Sequence, residues 1–391
     1  MAIPLAYSFR SIMVRRGSSA MAVAGIALVV VVFVALLALA AGFKKAVASS
    51  GSAQNILLIR KGADAELQSQ VPRDAFRVIS ALPIVASDAD GKPLCVAESV
   101  IILSRKKRDG GDTNITFRGT PEDSRKVHTE VKLTQGRWFR AGTTEAVIGI
   151  GLARRLEGFS VGQVIMAGRT PWQIVGVFEA EGSGLESEAW IDNELMQSVF
   201  NRGNIFQSVL LQAAGDPEMA LKEMQTQIQV DPRLRSLEAS SESAYYAKQS
   251  QLMAGVITVL GGLLTSIMAV GAIVGAMNTM YAAVSQRKRE IGCMLAMGFT
   301  PEAVWLAFII ESLILSTIGA AIGCSIAMLF NGMKTGTANW VTFSETAFEF
   351  HITPEIAIGA TALALVMGFI GGFLPALHAA RMKVVEALRR A

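Results

Sequence analysis

The chain has 391 residues, of which 51% are hydrophobic and only 17% are charged, with a formal net charge of +4. Soluble globular proteins carry about 25% charged residues, so this composition argues against an ordinary soluble domain and indicates long apolar segments. The positive excess is too small and too dispersed to indicate nucleic-acid binding. Cys95, Cys293 and Cys324 lie far apart, so they predict neither a disulfide framework nor a zinc site.

The first apolar segment follows a short basic stretch. Residues 1–18 include Arg10, Arg15 and Arg16, and they precede an apolar run over residues 19–43. This run has about 24 apolar residues, whereas the apolar core of a cleaved signal peptide has about 7–15. We therefore predict a retained transmembrane helix rather than a signal peptide.

Residues 44–250 have the mixed pattern of an α/β domain. NILLIRKG predicts a strand, and PEMALKEMQTQIQV and PRDAFRVISAL predict helices, the latter with Pro72 in its first turn. Two hairpins are predicted, at residues 94–120 around RDGGD and at residues 163–178 around AGRTP. Residues 239–253 predict a helix that runs without a break into the next span.

Three further apolar runs are long enough to cross a bilayer and contain no Lys or Arg. They occupy residues 251–284, 303–330 and 354–377. The predicted fold class is a polytopic α-helical membrane protein with four transmembrane helices and a large mixed α/β extracytoplasmic domain between the first and second.

Short polar segments predict the orientation. Basic residues are concentrated in residues 1–18, 285–302 and 378–391, whereas residues 331–353 carry one Lys against two Glu. Basic residues in short loops stay in the cytoplasm. We therefore expect both termini and residues 285–302 to be cytoplasmic, and residues 331–353 to form a short extracytoplasmic loop.

Glycines in the later spans recur four residues apart, which places two of them on one helix face and permits close helix approach. Tight packing within one bundle and a dimer interface both fit this spacing. Gly271 and Gly275 are the candidates for helix packing or dimerisation. The other pairs are Gly319 with Gly323 and Gly368 with Gly372.

The sequence contains few residues that could form a catalytic, cofactor-binding or metal-binding site. His128, His351 and His378 are isolated, and the chain has neither a nucleotide-binding G-x-x-x-x-G-K-[ST] motif nor metal-ligand spacing. We therefore expect no catalytic, cofactor-binding or metal-binding residue and no enzyme activity in this chain. Glu311 lies inside the third span. Its carboxyl could reach water, pair with an Arg of the preceding loop or relay protons.

The cytoplasmic segment 285–302 predicts a short amphipathic helix. Ile291, Met294, Leu295 and Gly298 have the i, i+3, i+4, i+7 spacing of one apolar stripe. Charged residues precede or flank the stripe: Arg287, Lys288, Arg289 and Glu290. Such a helix either lies on lipid headgroups or docks into a groove on another protein.

The segment MNTMYAAVSQRKREIGCMLAMGFTPEAVWLAFIIESLIL resembles the hallmark segment of MacB/FtsX-type ABC transporter permeases. The C-terminal GGFLPALHAARMKVVEALRRA is similar to the family's ending, with Val384 in place of the usual Pro. Residues 135–191 resemble a MacB-like periplasmic core domain. The matching residues in the two motifs are Asn278, Arg287, Arg289, Glu290, Ile291, Gly292, Ala296, Gly298, Glu311, Pro375, Ala376, Ala380, Glu386, Ala387, Leu388 and Arg389.

The resemblance implies the permease subunit of an ATP-driven transporter in the bacterial inner membrane, driving export or extraction of a substrate. The alternative is a transmembrane regulator that relays ATPase movements to an extracytoplasmic enzyme without transport. The expected partners are a separately encoded ABC ATPase, a second permease subunit (homodimer or paired permease), membrane lipids and a candidate periplasmic adaptor. The residues implied to dock on the ATPase are Arg287, Lys288, Arg289, Glu290, Ile291, Met294, Leu295 and Gly298.

Overall fold

The computed structural model describes residues 16–108, 110–338 and 345–384. The predicted N-terminal segment before Arg16, and the C-terminal motif residues 386–389, lie outside the described residues. Two units are distinguished by their internal contacts. The helical unit holds the described residues up to Ala41, with Gly255–Met333 and the residues from Phe350 onward, and the α/β unit holds Gly42–Ala254 and Lys334–Glu349.

Long and short helices alternate with strands along the chain. The helices are α1 (Arg16–Ala48), α2 (Arg73–Ser80), α3 (Ile150–Arg155), α4 (Asn193–Val199), α5 (Pro217–Val230), α6 (Glu242–Gln286), α7 (Lys288–Ala296), α8 (Pro301–Met328) and α9 (Pro354–Ala380). The strands are β1 (Asn55–Arg60), β2 (Val71–Pro72), β3 (Cys95–Lys106), β4 (Asp112–Thr120), β5 (Lys132–Gly136), β6 (Glu145–Gly149), β7 (Val164–Ala167), β8 (Thr170–Glu179), β9 (Glu188–Asp192), β10 (Ile205–Phe206), β11 (Ser208–Gln212), β12 (Leu237–Ser241), β13 (Lys334–Ala338) and β14 (Glu345–Glu349).

Four of these helices, α1, α6, α8 and α9, are long and apolar enough to cross a membrane, which confirms the four predicted spans. Helix α6 has 45 residues, and it confirms the prediction of an unbroken helix that enters the second span. It begins at Glu242, later than predicted, because Leu237–Ser241 pair with β1 as strand β12.

Small residues pack the helical unit. A Cβ added at Gly323 of α8 would lie 2.7 Å from Val30 Cβ of α1, and one at Gly372 of α9 would lie 2.6 Å from Ser312 Cβ of α8. A Cβ at Gly319 would lie 2.9 Å from Ile26 Cγ2, and one at Gly368 would lie 2.6 Å from Ser316 Cβ. These two glycine pairs therefore serve packing within one bundle.

The α/β unit is built on a ten-stranded sheet with the order β12-β1-β11-β3-β4-β9-β6-β8-β5, and β7 pairs with β8. The two predicted hairpins, β3–β4 and β7–β8, are both antiparallel pairs. One apolar core lies under β1 and β11 and includes Leu58 and Leu211. A second lies under β4, β6 and β9 and includes Phe117 and Ile148. The mixed α/β prediction is confirmed.

A buried ion cluster lies where these two halves of the sheet meet. Arg118 of β4, only 2% exposed, donates to Glu98 at 2.7 Å, to Glu188 at 2.7 Å and to Glu66 at 3.0 Å. Glu98 is also 3.0 Å from His128 Nε2. Buried charges persist when they are paired and hydrogen-bonded. We call these five residues the Arg118 cluster.

Two local predictions need correction. The segment 331–353 is not only a loop, because β13 and β14 pair antiparallel within it and group with the α/β unit. The Phe348 ring packs edge-on against Phe43 with centroids 5.5 Å apart. Pro72 is the N-cap of α2 and does not lie in its first turn, since Val71 and Pro72 pair with β10.

Candidate functional site

The predicted short helix between the second and third spans is present as α7. Arg287, with φ −109° and ψ 15°, separates it from α6. Gly298 has φ 92°, the left-handed conformation in which glycine commonly ends a helix. Thr300 caps α8 by accepting a hydrogen bond from the Ala303 amide, and Pro301 is at the start of α8. Gly298 thus ends α7, and Thr300 and Pro301 begin α8.

The apolar stripe of α7 faces the interior of the helical unit. Ile291 is fully buried, and Met294 and Leu295 are half-buried against the same cluster. The surrounding residues come from α6, α8 and α9, and they include Met280, Val284, Val304, Phe308, Ala376 and Ala379. Within the described chain this stripe therefore packs against the chain's own spans, because an apolar face indicates burial without specifying the partner.

Arg287 is also buried, at 8% exposure. Its Nη1 lies 3.2 Å from Glu311 Oε2, and its Nε lies 3.1 Å from Glu290 Oε2. Its guanidinium carbon is 5.4 Å from the centroid of the Phe308 ring, a cation–π distance. Glu311, the acid inside the third span, is therefore paired with an arginine of the preceding loop, which was one of its three predicted roles.

The exposed face of α7 differs from the predicted stripe. Lys288, Arg289, Cys293 and Ala296 are exposed, and Glu290 keeps 61% of its side-chain surface. Met297, just past the helix, is 66% exposed. We call Lys288, Arg289, Cys293, Ala296 and Met297 the outer face of α7. Sequence periodicity missed Met297 because it lies outside the stripe.

Gly271 and Gly275 of α6 lie on an open surface. Apart from the adjacent residues and the backbone of α6 itself, no described atom comes within 4 Å of a Cβ built at either position. Large apolar side chains on the same helix are exposed as well, including Val259 at 71%, Ile267 at 63% and Val270 at 61%. Unlike the other two glycine pairs, this pair makes no close helix contact within the described chain.

Among the described residues, no group of three His, Cys, Asp or Glu side chains is arranged to hold a metal ion. The conspicuous polar groups are instead ion pairs. His128 is an example. Burial disfavours its cation, but the neighbouring carboxylates of Glu98 and Glu130 raise the pKa of its imidazole well above its usual value. The neighbouring carboxylates therefore favour the charged form of His128.

Two family domains account for nearly the whole chain. Residues 19–227 match the MacB-like periplasmic core domain, and residues 252–384 match the FtsX-like permease C-terminal domain. The spans, the α/β unit and α7 thus define an integral membrane permease. The chain belongs to the MacB/FtsX-type ABC transporter permeases.

Three relatives show the range of the similarity. YknZ of Bacillus subtilis (strain 168), an uncharacterized ABC transporter permease, is 27% identical over 71% of this chain and 70% of its own. The pyoverdine export ATP-binding/permease protein PvdT of Pseudomonas entomophila (strain L48) is 28% identical over 63% of this chain and 38% of its own. The macrolide export ATP-binding/permease protein MacB 2 of Aeromonas hydrophila subsp. hydrophila is 28% identical over 66% and 41%. The chain spans less than half of the length of these last two proteins.

Two solved extracytoplasmic domains align with part of the chain. The periplasmic region of MacB from Actinobacillus actinomycetemcomitans aligns with 50% of this chain and 92% of its own, at 9% identity and a TM-score of 0.37. The extracellular domain of YknZ from Gram-positive bacteria aligns with 48% of this chain and 99% of its own, at 19% identity and a TM-score of 0.36.

Proposed function

We propose that this chain is the membrane subunit of an ATP-driven exporter and that a separately encoded ABC ATPase docks on the outer face of α7. The observation that carries the proposal is the two-sided packing of α7. Its apolar stripe is held in the helical unit, while Lys288, Arg289 and Met297 remain exposed. A short helix fixed on one side and open on the other suits protein docking.

The names of the relatives support this assignment. PvdT and MacB 2 are named ATP-binding/permease proteins for export, and the FtsX-like match covers the permease part of this chain. The 391 residues contain no phosphate-binding loop motif. We assign these residues to the permease part of the exporter and ATP hydrolysis to a second subunit.

The proposed location is the bacterial inner membrane, with both termini and α7 in the cytoplasm and the α/β unit outside. The basic residues of the loop 285–302 support this orientation, because such loops remain cytoplasmic. The proposed substrate is a small exported compound, since PvdT is named for pyoverdine export and MacB 2 for macrolide export. A periplasmic adaptor is a further proposed partner.

A second copy or a paired permease is proposed to pack on the open face of α6. Gly271 and Gly275 leave this face shallow, and close approach of a second helix would bury the exposed apolar side chains around them.

Docking on α7 is tested by a pull-down of the cognate ATPase with the full-length permease in detergent. Met297→Asp should weaken ATPase binding about 10- to 150-fold, because burying a methionine is worth about 1.5–3 kcal/mol. Met219→Asp is the matched control, since Met219 is 70% exposed on α5 of the α/β unit. Equal binding by both variants would contradict docking at this face.

Two further measurements separate the alternatives. Loss of vesicle binding in Met297→Asp, with ATPase binding retained, would indicate that the outer face of α7 contacts lipid headgroups. ATPase stimulation without substrate movement in proteoliposomes, together with activation of an extracytoplasmic enzyme, would indicate the regulator. The export names of the relatives favour transport.

A further inference from the structure

The junction between α6 and α7 contains a charged residue that the docking surface does not use. Arg287 is 8% exposed, whereas its neighbours Lys288 and Arg289 are both exposed. A buried arginine at the end of a span is costly unless its charge is compensated. Its contacts therefore indicate what this side chain does.

Arg287 connects α7 with α8 through two different carboxylates. Its Nε donates to Glu290 of α7 at 3.1 Å, and its Nη1 donates to Glu311 of α8 at 3.2 Å. Glu290 is largely solvent-exposed, but Glu311 is only 4% exposed. The planar guanidinium suits this double contact because its donors point in fixed directions.

Glu311 is followed in α8 by a residue that binds the last span. The hydroxyl of Ser312 donates to the carbonyl of Gly368 in α9, and a Cβ at Gly372 would lie 2.6 Å from Ser312 Cβ. We therefore expect a displacement of α8 near Ser312 to move α9 as well, because packed interiors deform little.

We propose that Arg287 and Glu311 are the positioning pair that transmits displacement of α7 to the third and fourth spans. Through this pair Arg287, the residue just before α7, makes a polar contact with α8, and the Phe308 ring lies against the same guanidinium. The inference rests on the proposed function only for the source of the displacement, which is the ATPase on the outer face. The seating of α7 on α8 is a property of this chain alone.

The seating is measured by thiol labelling at a buried position. Ile291→Cys is placed in full-length protein that also carries Cys293→Ser and Cys324→Ser, while the buried Cys95 is retained. Ile291 is fully buried, so maleimide should label this cysteine slowly while α7 stays seated. Arg287→Gln and Glu311→Gln should each raise the labelling rate at least tenfold, because each removes one member of the buried ion pair and leaves the charge of the other less compensated.

A double-mutant cycle makes the test specific to the pair. The variant Arg287→Gln/Glu311→Gln should label more slowly than the product of the single effects predicts, because it buries no unpaired charge. Glu290→Gln is the matched control, since it removes the exposed partner of the same arginine, and it should change the rate less than about threefold. Independent single effects, or wild-type labelling in both single variants, would overturn the proposal.

If Arg287→Gln or Glu311→Gln fails to insert in the membrane, labelling of Arg287→Lys still tests the proposal. Lysine retains the charge but lacks the fork that reaches Glu290 and Glu311 together, so labelling should still rise. Wild-type labelling of Arg287→Lys together with unchanged ATPase stimulation would count against a positioning role.

ATPase assays separate this inference from the proposed function. In Arg287→Lys we expect ATPase binding within about threefold of wild type, because the outer face is intact, but at least tenfold weaker stimulation of hydrolysis. If the wild-type chain binds no ATPase and the labelling cycle still shows coupling, the proposed function fails and the seating of α7 stands. If the ATPase couples normally in every variant, the positioning pair is wrong.

Discussion

Glu242 and Asn55 lie side by side although 187 positions separate them in the chain: the Asn55 Nδ2 donates to Glu242 Oε2 at 2.9 Å. The Ser52 amide donates to the same oxygen at 2.9 Å. Ser52 follows the end of α1, and Glu242 begins α6. The start of the long helix is thus bound to the segment that leaves the first helix.

The pH dependence of stability should report this contact. Burial raises the pKa of Glu242 from 4.5 to about 7, although His128 and the two donors oppose the shift. The folded state then holds a proton that the unfolded state loses above about pH 4.5. This contribution to the free energy of unfolding is complete below about pH 4.5 and falls as the pH rises through 7, by up to about 3 kcal/mol.

Glu242→Gln should flatten this part of the curve, as measured by thermal unfolding of the full chain between pH 5 and 8. Glu130 also faces Glu242 and raises its pKa further. The contribution of His128 is lost at higher pH, as the pH passes through its raised pKa, so wild type and variant are compared with each other. Glu238→Gln, an exposed change on β12, should leave the slope unchanged. Parallel wild-type and Glu242→Gln curves would contradict the prediction.

Removing the guanidinium of the Arg118 cluster should destabilise the α/β unit strongly. Arg118→Met would leave Glu66 and Glu188 buried without their cation, and Glu98 with His128 alone, which costs about 3–5 kcal/mol. Denaturant unfolding of the full chain, followed by tryptophan fluorescence, measures this loss, because the Trp190 indole lies 2.9 Å from Glu188.

Lys132→Ala is the control for the charge change in Arg118→Met. Lys132 and Glu181 form an ion pair 3.1 Å long whose side chains are 69% and 67% exposed. Exposed pairs contribute about 0–1 kcal/mol. A comparable loss of stability in both variants would show that the buried cluster contributes no more to the free energy of unfolding than an exposed ion pair does.

Glycine substitutions should separate packing inside the chain from an open surface. Gly368→Ala places a Cβ 2.6 Å from Ser316 Cβ, so overpacking should cost about 1–3 kcal/mol. Gly271→Ala meets open space and should stabilise α6 by up to about 1 kcal/mol. Thermal unfolding in detergent compares the two variants, and a loss at Gly271 equal to that at Gly368 would contradict the assignment.

Self-association tests the proposed dimer surface. Gly275→Leu should weaken dimerisation in lipid about tenfold, because a bulky side chain keeps the second helix at a distance. Gly359→Leu on α9 is the matched control, since Gly359 also faces open space. Energy transfer between labelled copies measures both, and equal association by both variants would place the interface elsewhere.

Local patterns in the sequence predicted local structure well. Residues 217–230 form the predicted helix, and Gly298 and Thr300 end and begin helices as their chemistry indicates. The Arg118 cluster could not be predicted, because residues 66, 98, 118 and 188 belong to four separate elements. The periodicity of Ile291 and Met294 predicted an apolar face, but the choice between a partner and the chain's own spans depends on tertiary packing.

The contact between Phe43 and Phe348 has a consequence for biosynthesis. Phe43 leaves the ribosome early, but the ring that covers it belongs to β14, about 300 residues later. At about 5–20 residues per second, Phe43 waits about 15–60 s for this neighbour. The rest of the α/β unit, up to Ala254, is synthesised within that interval, so the contact at Phe43 is among the last that this unit can form.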